Sequence, residues 1–536
     1  MKKFYLLLAA ILMLGNVAVA QDPDNFPPDD TTITITSTNL PIVWIEVGGA
    51  TIQRDERISA HMKIIHNGKG QLNYGDTVAH PGQHIDYEGY IALRYRGNST
   101  YNMSDKKPYS FRTLEQPLEV SDKKKKVEIL GMGKDNNWAL MAPYADRSMI
   151  RDLLTFELAR PWMEYAPDGR LCELYLDGIY YGVYVLSEVV STGKHRLNLP
   201  DPGETGDELT GGYLVEVDTD DDSTHVSKYH PVSRTGKVYD DRRILFQYKA
   251  PEYEDMTPAQ LEYINNAIDE MEDAFAQDDY TNPETGYRKY IDTQNFIDYQ
   301  LFTELSHNVD GYRLSGKMFK RRDSVDSRFK MVLWDMNLGY GNARHHNSWN
   351  TYTWVYQSND IMYRVGETYL IPFWWYKLNN DLNGYWKERN ARWREMRAAN
   401  LSKRNIWATI DSLVNEVTVC GAETRNSQAW PRWGEFVWPN HYIASSYDDE
   451  IAYLKQWISD RLAWLDMKMH YDAPPEYEPG DVNGDGEVSI GDVNVVIDIL
   501  LGLEVDQEVR DRADVDGDGE LSIADLQRII DKLLGN

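Results

Sequence analysis

Two oxygen-rich spacings in this chain could do chemistry. DVNGDGEVSIGD runs from Asp481 to Asp492. Asp481, Asn483 and Asp485 fall at loop positions 1, 3 and 5, and Gly486 sits at position 6, where a sharp turn needs a residue without Cβ. Glu487 offers its backbone carbonyl at position 7, Ser489 serves position 9 (often through water), and Asp492 closes the loop at position 12. Calcium takes six to eight oxygens, and this spacing wraps them around one ion. The pattern recurs 33 residues later as DVDGDGELSIAD, where Asp514, Asp516, Asp518, Gly519, Glu520, Ser522 and Asp525 fill the same places. Two calcium sites are expected, since the duplication argues against simple Asp/Gly-rich turns.

The second spacing lies in the middle of the chain. FIDYQLFTELSHNVDGYRLSGKMFKR reads as a helix that delivers Asn308 and Asp310 at its exit, and FKMVLWDMNLGYGN as an apolar strand with Asp335 just beyond its end. Phosphoryl transfer needs such a pair: one Asp to orient or deprotonate a hydroxyl, another to hold magnesium on nucleotide phosphates. A capping Asp and a turn Asp are the plain alternative. Around this pair, Arg96-Gly97-Asn98-Ser99 could cover phosphates. Lys106, Lys107 and Arg112 are nearby cations, and Glu188 could pair with such a lysine. Each could equally be structural. His307, His345 and His346 match no zinc spacing and read as packing or surface residues. There is no G-x-S-x-G elbow and no H-E-x-x-H.

The elements that position these residues change character along the chain. TITITS, LPIVWIEV, HMKIIH and YIALRYRG alternate as strands between Thr32 and Leu118. A helix begins near Asp146, which can cap it, and ends near Pro161. LCELYLDGIYYGVYVLSEV is a hairpin turning at Asp177-Gly178, and GGYLVEVD is a further strand. From Thr257 helices dominate, through PAQLEYINNAIDEMEDAFA and on to His470. Early strands and late helices indicate an α+β body and are compatible with two lobes.

The chain has 536 residues, enough for several domains, and a net charge of −29, which argues against nucleic acid as partner. Trp (16) and Tyr (36) outnumber Phe (12), a bias that suits polar, sugar-like or peptide surfaces as well as a Tyr-rich core. Lys2, Lys3, the apolar run Phe4 to Leu14 and Ala18-Val19-Ala20 read as a secretory leader over 1–20, with Gln21 as the mature start. No later stretch is apolar enough to span a membrane. Cys172 and Cys420 could pair or remain thiols. Pro-rich linkers are expected at 21–31 and 473–480. They bracket a body over 32–472 and leave the repeats at 481–536.

Several of these segments carry resemblances. The repeats, each loop running into an apolar helix (IGDVNVVIDILLG and IADLQRIIDKLLG), with Asp at position 12 and no helix before the first loop, resemble a type I dockerin. That resemblance implies a small, all-α, calcium-dependent domain docking onto a cohesin-type module, as in cellulosome-like assemblies that degrade plant-wall polysaccharide. Ile490-Gly491 and Ile523-Ala524 stand where many dockerins carry the Ser-Thr pair that contacts cohesin. LPIVWIEV, RYRGNST, KKPYSFRT, WALMAPYADRSMIRDLLTFELAR, ELYLDGIYYGVYVLSEVV, GGYLVEVD, FIDYQLFTELSHNVDGYRLS and VLWDMNLGYGN resemble the CotH (spore coat protein H) kinase-like family in order. The family implies an atypical, two-lobed protein-kinase-like fold that uses ATP with magnesium or manganese on Ser-containing proteins in spore coats or outside the cell. Carried over, Asp310 is the catalytic-loop acid and Asp335 the metal ligand. Asn98, Lys107, Glu188 and Asn337 fall on the nucleotide side, and Asn337 replaces a second acid common at W-D-F-D. Glu216, Asp218 and Lys249 lie in family-like segments without an assigned role. Two rivals stand beside the kinase: a non-catalytic secreted scaffold, and a component that degrades polysaccharide. A glycosidase needs two carboxylates roughly 5–9.5 Å apart.

Overall fold

The structure is a computed structural model that describes residues 26–221, 223–472, 480–505, 507–516 and 518–534. The expected leader at 1–20 and nearly all of the second linker lie outside the described residues. The end of the first linker does not hang free. Asp29 donates its N–H to the Ala429 carbonyl (2.9 Å) and pairs with Arg432 (2.8 Å).

Nine strands come first: β1 (Ile42–Glu46), β2 (Ile58–Ile65), β3 (Ile85–Tyr95), β4 (Tyr109–Thr113), β5 (Val127–Ile129), β6 (Met132–Asp135), β7 (Asn137–Met141), β8 (Gly169–Leu176) and β9 (Ile179–Glu188). All but β5 and β6, which form a separate two-stranded pair, close into a barrel in the order β1-β2-β3-β4-β7-β9-β8. Parallel pairing of β1 with β8 closes it. The expected hairpin is β8–β9, and Asp177 and Gly178 take the left-handed conformations that its tight turn requires (φ 46° and 80°). Ile42, Ile45, Met62, Leu93, Phe111, Trp138, Leu140, Leu174 and Tyr184 belong to the barrel's own core. TITITS forms no strand. Its alternation is real but serves another end: Ile33 and Ile35 are buried against this core while their backbone stays out of the ladder, with Ile35 N–H held by the Tyr175 hydroxyl (2.9 Å).

A second sheet combines β10 (Tyr213–Val217), β11 (Thr224–Val226), β12 (Leu245–Ala250), β13 (Gly316–Lys320) and β14 (Phe329–Val332) in the order β11-β12-β10-β13-β14. Its register sets Glu216 opposite Lys317 and Gln247. The helices in chain order are α1 (Ser99–Met103), α2 (Arg151–Ala159), α3 (Gly206–Leu209), α4 (Pro258–Ala276), α5 (Thr293–Ser306), α6 (Asn359–Arg364), α7 (Phe373–Asn380), α8 (Tyr385–Arg397), α9 (Lys403–Thr418), α10 (Ala422–Ala429) and α11 (Tyr447–Met469). In the C-terminal repeats they are α12 (Ile490–Leu500), α13 (Gln507–Ala513) and α14 (Ile523–Leu533).

One core joins the second sheet to most of these helices, and α2 belongs to it. Although α2 leaves the chain between two barrel strands, Leu153, Leu154, Phe156 and Leu158 pack with α5 and β10–β14 residues. Asp146 anchors α2 from the loop before it, accepting from Arg151 N–H (3.0 Å) and the Arg151 guanidinium (2.6 Å). The helix itself starts at Arg151 with Ile150 in the N-cap position, so Asp146 is not its cap but an acceptor for the first helical N–H from five residues away. Helix α5 is held by a buried ion pair, Glu304 with Arg461 of α11 (3.1 Å), in which both side chains are fully enclosed. The Glu304 carboxylate also accepts from Val355 N–H, Tyr356 N–H and the Tyr312 hydroxyl, which satisfies its remaining lone pairs. Cys172 and Cys420 are both free thiols.

Helix α4 carries a buried acid that forms no ion pair among the described residues, with Lys228 as its nearest positive charge. Glu272 is fully enclosed, takes one hydrogen bond from Ser227 (2.5 Å), and has its other oxygen unpartnered. Burial pushes its pKa up to about 8. A carboxyl protonated in the fold but ionised when unfolded costs stability as pH rises from about 4.3 towards the folded value. Each pH unit between those two values is worth about 1.36 kcal/mol. Glu272→Gln should therefore remove that slope and stabilise the body at pH 8 by a few kcal/mol while changing little at pH 4. Urea unfolding across this range checks it; an unchanged slope would contradict the assignment.

Candidate functional site

The two central motifs meet. Helix α5 ends at His307 in a left-handed C-cap (φ 52°), which turns the chain so that Asn308 and Asp310 follow directly. His307 is a packing residue, bonded to the Ser348 carbonyl and the Thr353 hydroxyl. The β13–β14 hairpin then returns the chain. The β14 ladder stops at Val332, and Asp335 lies three residues on, itself left-handed (φ 57°). Asn308 joins the motifs physically. Its carbonyl accepts from Asp310 N–H (3.2 Å) and its amide donates to the Asp335 carbonyl (2.9 Å).

Asp310 and Asp335 line one cleft of about 840 Å³ between the barrel and the second sheet. The barrel wall carries Arg54, Arg57, Arg94, Arg96 and Arg112; the opposite wall carries Glu216, Asp218, Lys249, Lys317, Asp310 and Asp335. The two walls thus differ in sign. Burial and the crowding of Arg112 and Arg94 pull the Arg57 guanidinium down to about 9. Arg96 stacks on Trp334 (5.2 Å), and its Nη1 is buried without a hydrogen-bond partner. Among the described residues Arg112 makes one long ion pair, with Glu252 (3.8 Å).

The carboxylates opposite are equally crowded. Burial raises the Asp335 pKa; Arg96 works against the rise, and Asp310 and Glu216 add to it. Burial, then Asp335, pushes Asp152 of α2 up to about 7. Asp218 goes up to about 6, through burial and the neighbouring Glu216. Burial opposes the Glu216 charge as well, but Lys317 and Lys249 outweigh it and hold the carboxyl below its ordinary range. Asp310 is tied to Arg313 (2.6 Å), which in turn reaches the Tyr369 carbonyl (2.9 Å) and Glu367 (3.4 Å). Asp335 and Asp152 offer hard carboxylate oxygens to one smaller cavity, a pair that fits magnesium or manganese, while the Asp310 carboxylate is held by Arg313; among the described residues the convergent cluster of three acids is that of Asp514, Asp516 and Asp525.

The other expected nucleotide-side residues divide. Asn98 lines the cleft and receives Arg54 (3.4 Å) and the Asn102 amide (3.2 Å) on its carbonyl. Asn337 lines it too, with its amide donating to Asp335 (2.8 Å). Lys107 is not on the cleft wall; it is buried, and its ammonium donates to the Tyr101 carbonyl (2.6 Å). Glu188 pairs with Arg196 (2.6 Å) and Tyr165 (2.9 Å), not with a lysine. The physical reason is register: Glu188 ends β9 opposite Trp138, where Arg196 stacks over the Trp138 ring. On the cleft wall Glu216 pairs with lysines, Lys317 and Lys249 (3.1 Å). Sequence reasoning passed over Asp152, Lys317 and the arginines Arg54, Arg57 and Arg94. Alternation in GKMFK and in β3 could have placed Lys317 and Arg94 on the cleft side of their own strands, but Asp152 gives no local signal.

The C-terminal loops are built as their spacing requires. Asp481 accepts from the N–H groups of Gly484, Asp485 and Gly486, and Gly486 is left-handed (φ 90°). Asp492 accepts from Asn483 and Ser489 N–H and is fully buried. Asp485 accepts from Glu487 N–H (3.0 Å), which turns the loop towards position 7. In the second loop, ligand atoms of Asp514, Asp516 and Asp525 lie within 4.8 Å of one another. Asp518 N–H donates to Asp514 (3.2 Å), and Glu520 N–H to Asp518 (2.8 Å). Ser489 and Ser522 cap α12 and α14, each in a capping box with the Asp of position 12. Converging carboxylates of this kind suit a calcium ion. Ile490 and Ile523 stand exposed at the matching helix starts (73% and 75%).

Among the described residues no helix is long and apolar enough to cross a membrane. Comparison with curated proteins finds no match. Comparison with family models gives two. The dockerin type I domain matches residues 479–534; such domains bind calcium and dock onto cohesin modules, which makes this a protein attached to a complex. The CotH kinase protein model matches residues 93–465, most of the α+β body, and so the chain belongs to the CotH kinase family and ends in a type I dockerin domain.

Proposed function

We propose that the protein is a secreted atypical kinase that transfers phosphate from ATP to Ser or Thr of extracellular proteins, held in its complex by the calcium-loaded tail. The body, taken over 32–472, is read as two kinase-like lobes: the barrel, and the second sheet with its helices. The tail, over 481–536, is read as an all-α dockerin, and 1–20 as the leader that exports the chain.

The observation that carries the reading is the meeting of Asp310 and Asp335 in one cleft under an arginine wall. Asp335 would hold a magnesium ion, which would supply charge neutralisation on the phosphates. Arg96, with an unpartnered Nη1 beside Asp335, is placed to take phosphate oxygens. Asp310 accepts the proton of an incoming hydroxyl or orients it, while Arg313 fixes the carboxylate's direction. Lys317 and Lys249 on Glu216 provide further positive charge on the opposite wall.

A non-catalytic scaffold is the second reading. Asn337 in place of a second acid favours it, and so does the ion pair that occupies Glu188 away from the cleft. Calorimetric titration with ATP and magnesium separates the two, since a scaffold with a dead cleft takes up no nucleotide.

The kinase reading expects Asp310→Ala and Asp335→Ala each to lower transfer of labelled γ-phosphate to a protein acceptor by about 10²–10⁴-fold without loss of fold. Transfer unaffected by either variant would sink it. For the tail, the core formed by Val482, Val493, Val496, Ile499, Ala513 and Ile529 is small. Excess EDTA should therefore unfold the tail helices and leave the body's unfolding transition in place. Circular dichroism with hydrogen exchange reads both; tail helices that stay protected without calcium would contradict it.

A further inference from the structure

We propose that Asp152 supplies the second negative charge of the Asp335 cation site and positions Asp335, while Asn337 serves as the donor between the two carboxylates instead of as a metal ligand. The proposal rests on the reading of Asp335 as the cation ligand.

Helix α2 sets its first turn against the residues that follow Asp335. The Asp152 carboxylate accepts from Met336 N–H (2.7 Å) and from the Asn337 amide (3.4 Å). The same amide donates to the Asp335 carboxylate (2.8 Å). One NH₂ group thus bridges two acids, which directs the Asn337 carbonyl away from them. The opposite amide orientation would set an acceptor against two carboxylates. Asn342 donates to the Asn337 backbone carbonyl (2.8 Å) and fixes the segment further. Asp152, Asp335 and Asn337 also line one smaller cavity with Arg96.

A carboxyl at Asp152 is not explained by packing. Its neighbour in sequence, Arg151, is fully buried and pairs through Nη1 with Asp146 (2.6 Å) and Glu450 (2.8 Å), not with Asp152. Asp152 forms no ion pair among the described residues. Capping one backbone N–H needs only a neutral acceptor such as Ser or Asn. A buried carboxylate used for that alone costs more than it contributes, unless a cation shares it. The clamp also has work to do on the backbone. Asp335 and Tyr340 are both left-handed without being glycine (φ 57° and 52°), at roughly 1–2 kcal/mol each. Helix α2 holds the segment at both points, through Asp152 at Met336 and through Thr155, whose hydroxyl bonds the Tyr340 hydroxyl (2.9 Å).

The test is Mn²⁺ affinity of the full chain without nucleotide, read by electron paramagnetic resonance, with calcium saturating the tail loops. Asp152→Asn keeps the shape and one acceptor but removes the charge, and should weaken Mn²⁺ binding by about 10–100-fold. Asn337→Ala removes the bridge but leaves both carboxylates in place, and should weaken binding less than Asp152→Asn does. The reverse ranking overturns the proposal. Should Asp152→Asn fail to fold, hydrogen exchange of the unmodified protein still decides: the Met336 amide should be protected, and exchange at the rate of an open loop overturns the clamp. Absence of any Mn²⁺ binding overturns both this proposal and the Asp335 reading. Absence of phosphate transfer with the ranking intact overturns the kinase reading alone.

Discussion

Carboxylates brought close together inside a protein repel one another and lose water, so something must hold them there. In this fold the problem is concentrated at Asp335, which shares its surroundings with Asp310, Asp152 and Glu216. Much of the body's layout answers it. Asn308 grips the Asp335 backbone, Asn337 donates to its carboxylate, Arg96 faces it from the barrel, and Arg313 takes up Asp310. Acids crowded in this way suit a cation. The facing wall of arginines is the complementary place for anions.

The scaffold behind the site follows from the same demand. Helix α2 departs from the barrel yet packs into the other core, so it can press Asp152 onto the Asp335 segment without disturbing the strands. Helix α5 has to end at one fixed point if Asn308 is to reach both motifs. The enclosed Glu304–Arg461 pair, satisfied on every side, ties that end to α11. Buried pairs of this kind specify position more than they add stability.

Much of this was legible in the sequence where a local rule applied. The two calcium loops, the β8–β9 turn, the exit of α5 and the strand before Asp335 each rest on spacing within about a dozen residues. What failed depended on partners far along the chain. TITITS alternates because Ile33 and Ile35 plug a core, not because a ladder forms. Glu188 could have paired with a lysine or been structural; strand register gives it to Arg196, and the lysine-paired acid of the cleft is Glu216, set opposite Lys317 by β10–β13 pairing. Asp152 sits beside Arg151 in an otherwise apolar turn, and nothing local shows that it faces residues nearly two hundred positions later. The family resemblance reached Asp310 and Asp335 because those two carry motifs of their own; the residues that set their charge do not.

The central claim is that Asp310, Asp335 and the arginine wall form one nucleotide site. Hydrogen exchange of the calcium-loaded chain, with and without ATP and magnesium, tests it most directly. The account predicts new protection on both walls together, at 94–98 on the barrel and at 308–313 and 335–341 opposite, with the tail unchanged. Protection confined to one wall, or none at all, would contradict it.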